Sequence, residues 1–285
     1  MTVLHVDLDN TLIYSYKHDI GNDRINVETY QDREVSFLTG TTYENLKKLK
    51  EKLLIVPTST RSIEQYRRID LGIGSLPYAL VCNGGVLLVN GEKESAWYQV
   101  SLQLIRESLP ALDRARHFLE RDSRRKFELR FIEDLFLFTK CREPENVVME
   151  LQETLDTDTA DVFHNKEKVY VVPRKLSKGT AVERFRKYLP ADRVIAAGDS
   201  RFDISMLRAA DIGIAPRGFR QEFSLDFSSD VSLDFPLDTS IHFPTDAYSD
   251  FSTNSPLEFF LEEMPGNRLF SDEMSERLLE LCQKG

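Results

Sequence analysis

Cysteine is scarce in this chain. Cys82, Cys141 and Cys282 are its three cysteines in 285 residues, odd in number and far apart, and they form neither a disulfide framework nor a metal-ligand spacing. No apolar run approaches the length of a membrane span, and no basic region followed by an apolar segment opens the sequence. These absences argue against a disulfide-stapled scaffold and against a membrane protein, so the expected setting is reducing, soluble and cytoplasmic. Positive charge is also in deficit. The formal net charge of -10 argues against a nucleic-acid-binding surface. From Gln221 to Asn267 there is no Lys or Arg but ten Asp and Glu, which leaves the rest of the chain close to neutral.

What is present is enough apolar material, 41% of residues, to bury a sizeable core in one large domain or two smaller ones. The first dozen residues organise the reading. Val3-Leu4-His5-Val6 is a short buried-strand pattern, and Asp7-Leu8-Asp9-Asn10-Thr11-Leu12 follows without a break. Two carboxylates two residues apart at a strand's end face the same side by the strand period, and their repulsion calls for a cation or a shared proton. A hard divalent ion such as Mg²⁺ answers that need. A strand end with an Asx turn and a helix cap is the plainer alternative.

Taking the chain in order, Arg24 to Tyr30 and Glu34 to Thr39 alternate as two strands around Gln31-Asp32-Arg33, a hairpin flap over the first strand's end. A helix follows, with Thr41 or Thr42 as its cap and Glu44 placed for a capping box. Leu53-Leu54-Ile55-Val56 is a second buried strand, ending in Pro57-Thr58-Ser59-Thr60-Arg61, where hydroxyls beside an arginine can bind an anion or simply cap the next helix. Tyr78 to Cys82 is a third strand, running into the turn Asn83-Gly84-Gly85. From Val86 to Pro173 the texture changes to a self-contained α+β insertion. Helices are expected over 101–125 and 145–155, strands over 127–139, and a hairpin over 162–172 with Asn165-Lys166-Glu167 near its tip. Arg130, His164, Asn165 and Lys166 are either substrate-facing there or an ordinary solvated face.

The first pattern then returns. Lys178-Gly179-Thr180 opens a helix through Tyr188, Arg193 to Ala197 is a buried strand, and Gly198-Asp199-Ser200-Arg201-Phe202-Asp203 follows it. Acidic residues at the carboxyl end of such a strand sit where ligands gather in open parallel sheets. A further helix begins near Ile204, and Ile212 to Ala215 is one more strand.

Asp7-Leu8-Asp9-Asn10-Thr11, the hydroxyl at Ser59, Lys178-Gly179 and Gly198-Asp199…Asp203 occur in the order of the four motifs of the haloacid dehalogenase superfamily. Over residues 1–220 the chain resembles that superfamily's Cof-type branch, which includes sucrose-phosphate phosphatase-like members. The resemblance implies an α/β fold, a Rossmann-like parallel-sheet core over 1–85 and 174–220, with an inserted α+β cap over 86–173. It implies a phosphatase in which Asp7 is the nucleophile and Asp9 the general acid and base. Mg²⁺ would be held by Asp7, by the Asp9 backbone carbonyl and by Asp199, with Asp203 as a further ligand or support. Ser59 (or Thr58), Thr60, Arg61, Asn83 and Lys178 would meet the phosphate, and Thr11 would orient Asp9 or its loop. The branch usually has Thr-Gly-Arg where Ser59-Thr60-Arg61 stands here. It usually has asparagine at the position of Phe202, so that contact is lost or supplied elsewhere.

The implied substrate is a sugar phosphate or other small phosphorylated metabolite, in keeping with the branch, with no nucleic acid and no membrane as partner. A phosphomutase or phosphotransferase is the second enzymatic reading, and a non-catalytic regulatory binding protein the third. Residues 221–285 form an acidic extension rich in Phe, Ser and Asp, with Asp226, Asp230, Asp234 and Asp238 at four-residue steps. Its phenylalanines point to packing on the core or on a basic protein partner. A final amphipathic helix is expected over 271–282, capped by Ser271.

Overall fold

The computed structural model describes residues 1–225 and 260–283. Thr2–Val6 is β1, and Tyr14–Ser15, Arg24–Tyr30 and Arg33–Thr39 are β2, β3 and β4, an antiparallel sheet of order β2-β4-β3. Gln31 and Asp32 both take positive φ, 52° and 58°, the backbone that a tight two-residue hairpin turn requires. Gly40–Lys50 is α1. Its cap is neither Thr41 nor Thr42 but Thr39, the last extended residue of β4, whose hydroxyl accepts from the Thr42 amide at 3.0 Å. Thr42 lies within the first turn, and its own hydroxyl donates to Asp272, 2.8 Å away.

Leu54–Pro57 is β5, Ile63–Arg67 is α2 with a Ser62–Gln65 capping box, and Tyr78–Val81 is β6. Val86–Val89 and Glu92–Lys93 are β7 and β8, which pair with β6 in an antiparallel sheet. The Asn83-Gly84-Gly85 turn therefore folds the chain back onto the core, and the insertion does not leave it at Val86. Ser95–Leu104 is α3, whose Trp97 packs with the core helices.

Leu109–Arg121 (α4), Arg130–Ile132 (β9), Phe136–Lys140 (β10), Pro144–Thr154 (α5), Ala160–Asn165 (β11) and Lys168–Pro173 (β12) make the cap. Its antiparallel sheet has order β11-β12-β10-β9. One face of that sheet, with Leu137, Val162, Val169 and Val171, is buried under Leu112, Leu119, Val147 and Leu151 of the two helices.

Lys178–Tyr188 is α6, Arg193–Ala197 is β13, Ile204–Arg208 is α7, Ile212–Ala215 is β14 and Phe219–Glu222 is α8. Phe260–Glu263 and Phe270–Gln283 are β15 and α9. The central sheet is parallel throughout, in the order β15-β14-β13-β1-β5, and a parallel bridge between Thr58 and Leu80 joins β6 to its edge. Alternation along the strands splits the core into two layers. Leu4, Val6, Ile55, Ile195 and Ala197 face α1 and α9, while Val3, Val56, Val194 and Ala196 face α6, α7 and Trp97. Sheets of this kind are apolar on both faces because helices cover both.

The expected extension thus holds part of the core itself. β15 completes the sheet, and Met274 and Leu278 of α9 are fully buried beside Leu46 and Leu49 of α1, each worth about 1.5–3 kcal/mol on burial. Helix α9 begins at Phe270, one residue before the expected Ser271 cap. The four-residue acidic repeat, Asp226 to Asp238, lies outside the described residues.

Candidate active site

The site forms where β1 and β13 end side by side, with Val6 opposite Ala197. Asp7 and Asp199 therefore emerge at the same edge. Lys178, the first residue of α6, reaches between them, with Ser177 capping the helix through the Thr180 amide. Its ammonium lies 2.5 Å from Asp7 Oδ1 and 2.6 Å from Asp203 Oδ1, and all three side chains are nearly inaccessible. A lysine so deeply buried is tolerated because it is paired twice. Burial works against its charge, but Asp203 and Asp7 outweigh burial and hold its pKa above the usual lysine range.

Asp203 is the organiser of the acidic loop. Its second oxygen accepts from the Asp199 amide (3.2 Å), the Ser200 amide (2.9 Å) and the Ser200 hydroxyl (2.7 Å). The loop closes this tightly because residue 198 is glycine: a Cβ there would lie 2.4 Å from Asp203 Cβ. Thr11 donates to Asp199 at 3.0 Å, so it steadies Asp199 and not Asp9.

Asp7, Asp199 and Asp203 each offer one carboxylate oxygen, and these lie within 4.8 Å of one another. Burial, opposed by Lys178 and reinforced by the neighbouring acids, pushes Asp7 well above the usual carboxylate range. Burial and then Asp203 push Asp199 up to about 7. Three crowded carboxylates, all hard oxygen donors, fit a divalent cation of the Mg²⁺ kind.

The Asp9 side chain is elsewhere. It is half-exposed at the mouth of the site and is gripped by Arg61 through two parallel bonds, Nε to Oδ2 and Nη2 to Oδ1, both 2.8 Å. Burial raises the Asp9 pKa, and the hydrogen bond and charge of Arg61 more than reverse this, leaving it below the usual range. The strand order explains the meeting, since β5 lies directly beside β1 and the loops after both strands leave together.

Ser59 is buried, and its oxygen accepts from the Arg61 amide at 3.2 Å. Thr58 is turned into the core, where it donates to the Val56 carbonyl and meets His5 Nδ1 at 3.1 Å, which favours Ser59 over Thr58 as the residue facing the site. Thr60 is half-buried between them and Arg61. Asn83 is buried and spends its amide on the Leu176 carbonyl at 2.8 Å. It ties the β6–β7 turn to the loop that carries Lys178.

The sequence reading missed Glu28. It is buried in the flap, accepts from Ser36 at 2.6 Å, and pairs with Arg61 at 3.0 Å and Arg68 at 3.1 Å. The β3–β4 register slips on both sides of it, so Val27 and Glu28 are buried in succession and the alternation that would flag an inward acid is lost. Phe202 packs edge-on to Phe163 (4.8 Å) and Tyr170 (5.1 Å) of the cap. In this chain it is a contact between core and cap.

A parallel α/β core, a buried lysine between carboxylates at its carboxyl edge and an α+β cap inserted above them define a capped, carboxylate-centred hydrolase fold. The family model of haloacid dehalogenase-like hydrolases matches residues 87–218, which include the cap, Lys178, Asp199 and Asp203. That match spans a little under half of the chain, and over it the chain is similar to haloacid dehalogenase-like hydrolases. Among solved structures, it is similar to the sucrose-phosphatase of Synechocystis sp. PCC6803, with 16% identity over 78% of this chain and 85% of that one, and a TM-score of 0.53. The Thermoplasma acidophilum 0175 protein gives 11% identity over 98% and 97%, with a TM-score of 0.54. The trehalose-6-phosphate phosphatase of Aspergillus fumigatus gives 14% over 100% and 93%, with a TM-score of 0.50. At such identities the likeness is one of fold. No curated protein sequence matches the chain. Among the described residues, no helix is long and apolar enough to cross a membrane.

Proposed function

We propose that the chain is a Mg²⁺-dependent phosphomonoester hydrolase acting on a small phosphorylated metabolite through an aspartyl-phosphate on Asp7. The observation that carries this reading is the buried ammonium of Lys178 between Asp7 and Asp203, with a second aspartate, Asp9, held by Arg61 at the mouth of the site two residues on. Asp7 and Asp199 would hold the metal, with Asp203 behind them. When bound, Mg²⁺ supplies positive charge that offsets the repulsion between carboxylates and phosphate. Asp7 attacks phosphorus, the ester P–O bond breaks, and the leaving oxygen takes the proton of the Asp9 carboxyl. Asp9 then takes a proton from water as that water attacks phosphorus. Phosphate leaves and the Asp7 carboxylate is restored. Lys178 and the Ser59 hydroxyl bind the transferring oxygens, since positioning and charge neutralisation dominate such reactions.

Arg61 gives this cycle a gate. While it holds Asp9 by two bonds, Asp9 stays ionised and cannot donate a proton. An arriving phosphate competes for the guanidinium and frees Asp9 to act as an acid. Sugar phosphates are the leading substrate class, in keeping with the sucrose-phosphatase and trehalose-6-phosphate phosphatase of like fold.

The test is phosphate release from a panel of phosphorylated metabolites, with Mg²⁺ and with chelator. Turnover that needs Mg²⁺ and falls at least about a thousand-fold in Asp7→Asn is the expected result. Phosphate passed to an acceptor alcohol, without release, would make the protein a phosphotransferase instead.

A further inference from the structure

The cap presents a charged face to the site that no step above uses. Residues opposite one another in an antiparallel sheet share a face, and the register puts Lys140, Lys168 and Asn165 in one row and Phe138, Tyr170 and Phe163 in the next. The helices cover the other face of this sheet. The aromatic row is fixed against the core by Phe202, which contacts Phe163 and Tyr170 and immediately precedes Asp203 of the catalytic cluster. Lys168 lies two residues from Tyr170 on the same face of β12, one strand repeat (about 7 Å) further along.

These cations lack partners. Neither Lys140 nor Lys168 makes an ion pair among the described residues, although Lys140 lies 5.2 Å above the Phe127 ring. Asp9 is the acid whose charge bears on Lys168, and Arg61 already occupies it. Lys168 is open to the cleft, yet its ammonium is hemmed in. Burial pulls its pKa down, Asp9 opposes this, and Lys140, Arg61 and Lys166 add to the fall. The carboxylates nearest this row, Asp9 and Glu167, are already paired with Arg61 and Lys126, and cations gathered in one partly dehydrated place in this way form a site for an anion.

We propose that the Lys140–Lys168 row of the cap is a second anion subsite, so that the substrate is a phosphomonoester of an alcohol carrying a further carboxylate or phosphate. This rests on the phosphohydrolase reading for the role of the first phosphate. Asp7 and Lys178 engage the ester being cleaved, and the cap row holds the charged end of the leaving group. A neutral alcohol leaves the lysines unpaired.

The test is calorimetric binding to the full-length Asp7→Asn protein in Mg²⁺, using three matched pairs. They are glycerol 3-phosphate against 3-phosphoglycerate, glucose 6-phosphate against 6-phosphogluconate, and fructose 6-phosphate against fructose 1,6-bisphosphate. The more acidic members should bind at least about ten-fold tighter, with the preference shrinking as salt rises. Adding Lys168→Met should remove most of that preference, and Lys168→Arg should restore it. The first and second pairs report carboxylate, and the third reports phosphate. Equal affinity within the pairs, no binding of any member, or a preference that survives Lys168→Met overturns the subsite. Wild-type turnover of the same compounds separates the two readings, because an acidic preference in binding without phosphate release from any compound sinks the hydrolase and leaves the subsite standing.

Discussion

The two sheets of this molecule treat charge in opposite ways. At the rim of the parallel core sheet, Lys178, Asp7 and Asp203 are buried and bonded to one another at 2.5 and 2.6 Å. On the face of the antiparallel cap sheet that its helices leave uncovered, Lys168 is exposed and Lys140 half-buried, both without ion-pair partners among the described residues. Buried charges that satisfy each other are fixed apparatus, and removing one strands the others. Open charges with no partner contribute little to the fold and are available to a ligand. On the reading proposed above, the contrast separates what would perform chemistry from what would select the molecule it is performed on.

Breaking the core side should do the most damage. Lys178→Met leaves Asp7 and Asp203 without their cation, so urea denaturation should show a loss of about 3–5 kcal/mol, and phosphate release should vanish. Arg61→Ala should cost less, about 1–3 kcal/mol, because Glu28 keeps Arg68 and Ser36. It should also lower kcat/KM about a hundred-fold through a misplaced Asp9. With Arg61 gone the Asp9 pKa rises, so the falling alkaline limb of the pH–rate profile should move to higher pH. An unmoved limb would remove Asp9 from the role of general acid.

His5 sharpens the comparison inside the core. Burial, helped by Arg186, pulls its pKa from 6.5 down to about 3. Thr58 gives its proton to Val56, so His5 Nδ1 donates to Thr58, and Nε2 is buried with no partner among the described residues. The unfolded chain binds a proton that the folded one refuses. The stability due to neutral His5 is therefore intact above pH 6.5 and declines as pH falls toward 3, by about 1.4 kcal/mol per unit. Chemical denaturation of wild type and His5→Gln between pH 7 and 5 should diverge by that slope; parallel curves would place the acid lability elsewhere. The smallest effect belongs to the cap. Lys168→Met should leave the urea midpoint unchanged or slightly raised, and a clear loss would mean that the cap lysine holds structure after all.

Much of this arrangement was legible in the sequence, because the chemistry sits directly after apolar strands. Asp7 and Asp9 follow β1, Ser59 follows β5, and Asp199 and Asp203 follow β13. Long-range pairings were not legible. The bond between Asp9 and Arg61 depends on β5 lying next to β1, which strand patterns alone do not state. Glu28 hid in a register slip. Strand β15 hid because Phe260-Leu-Glu-Glu is short and half polar, as an edge strand tends to be, and only β14 beside it makes it a strand. The cap of α1 falls two or three residues before the expected one because three threonines stand near its start and the first of them, Thr39, ends β4 in extended backbone with its hydroxyl facing the Thr42 amide.

The packing of α9 against α1 bears on how the molecule is made. Helix α1 is synthesised well before α9, yet Asp272 accepts from Thr39 and Thr42, Ser275 meets Asn45, and Ser271 donates to the Tyr14 hydroxyl. The layer containing Leu46, Leu49, Met274 and Leu278 cannot close until the C-terminal helix has left the ribosome. A nascent chain stopped at residue 225 would already carry Asp7, Asp9, Lys178, Asp199 and Asp203, but with an unpaired sheet edge and an open apolar face. Closure of this core layer therefore waits on α9.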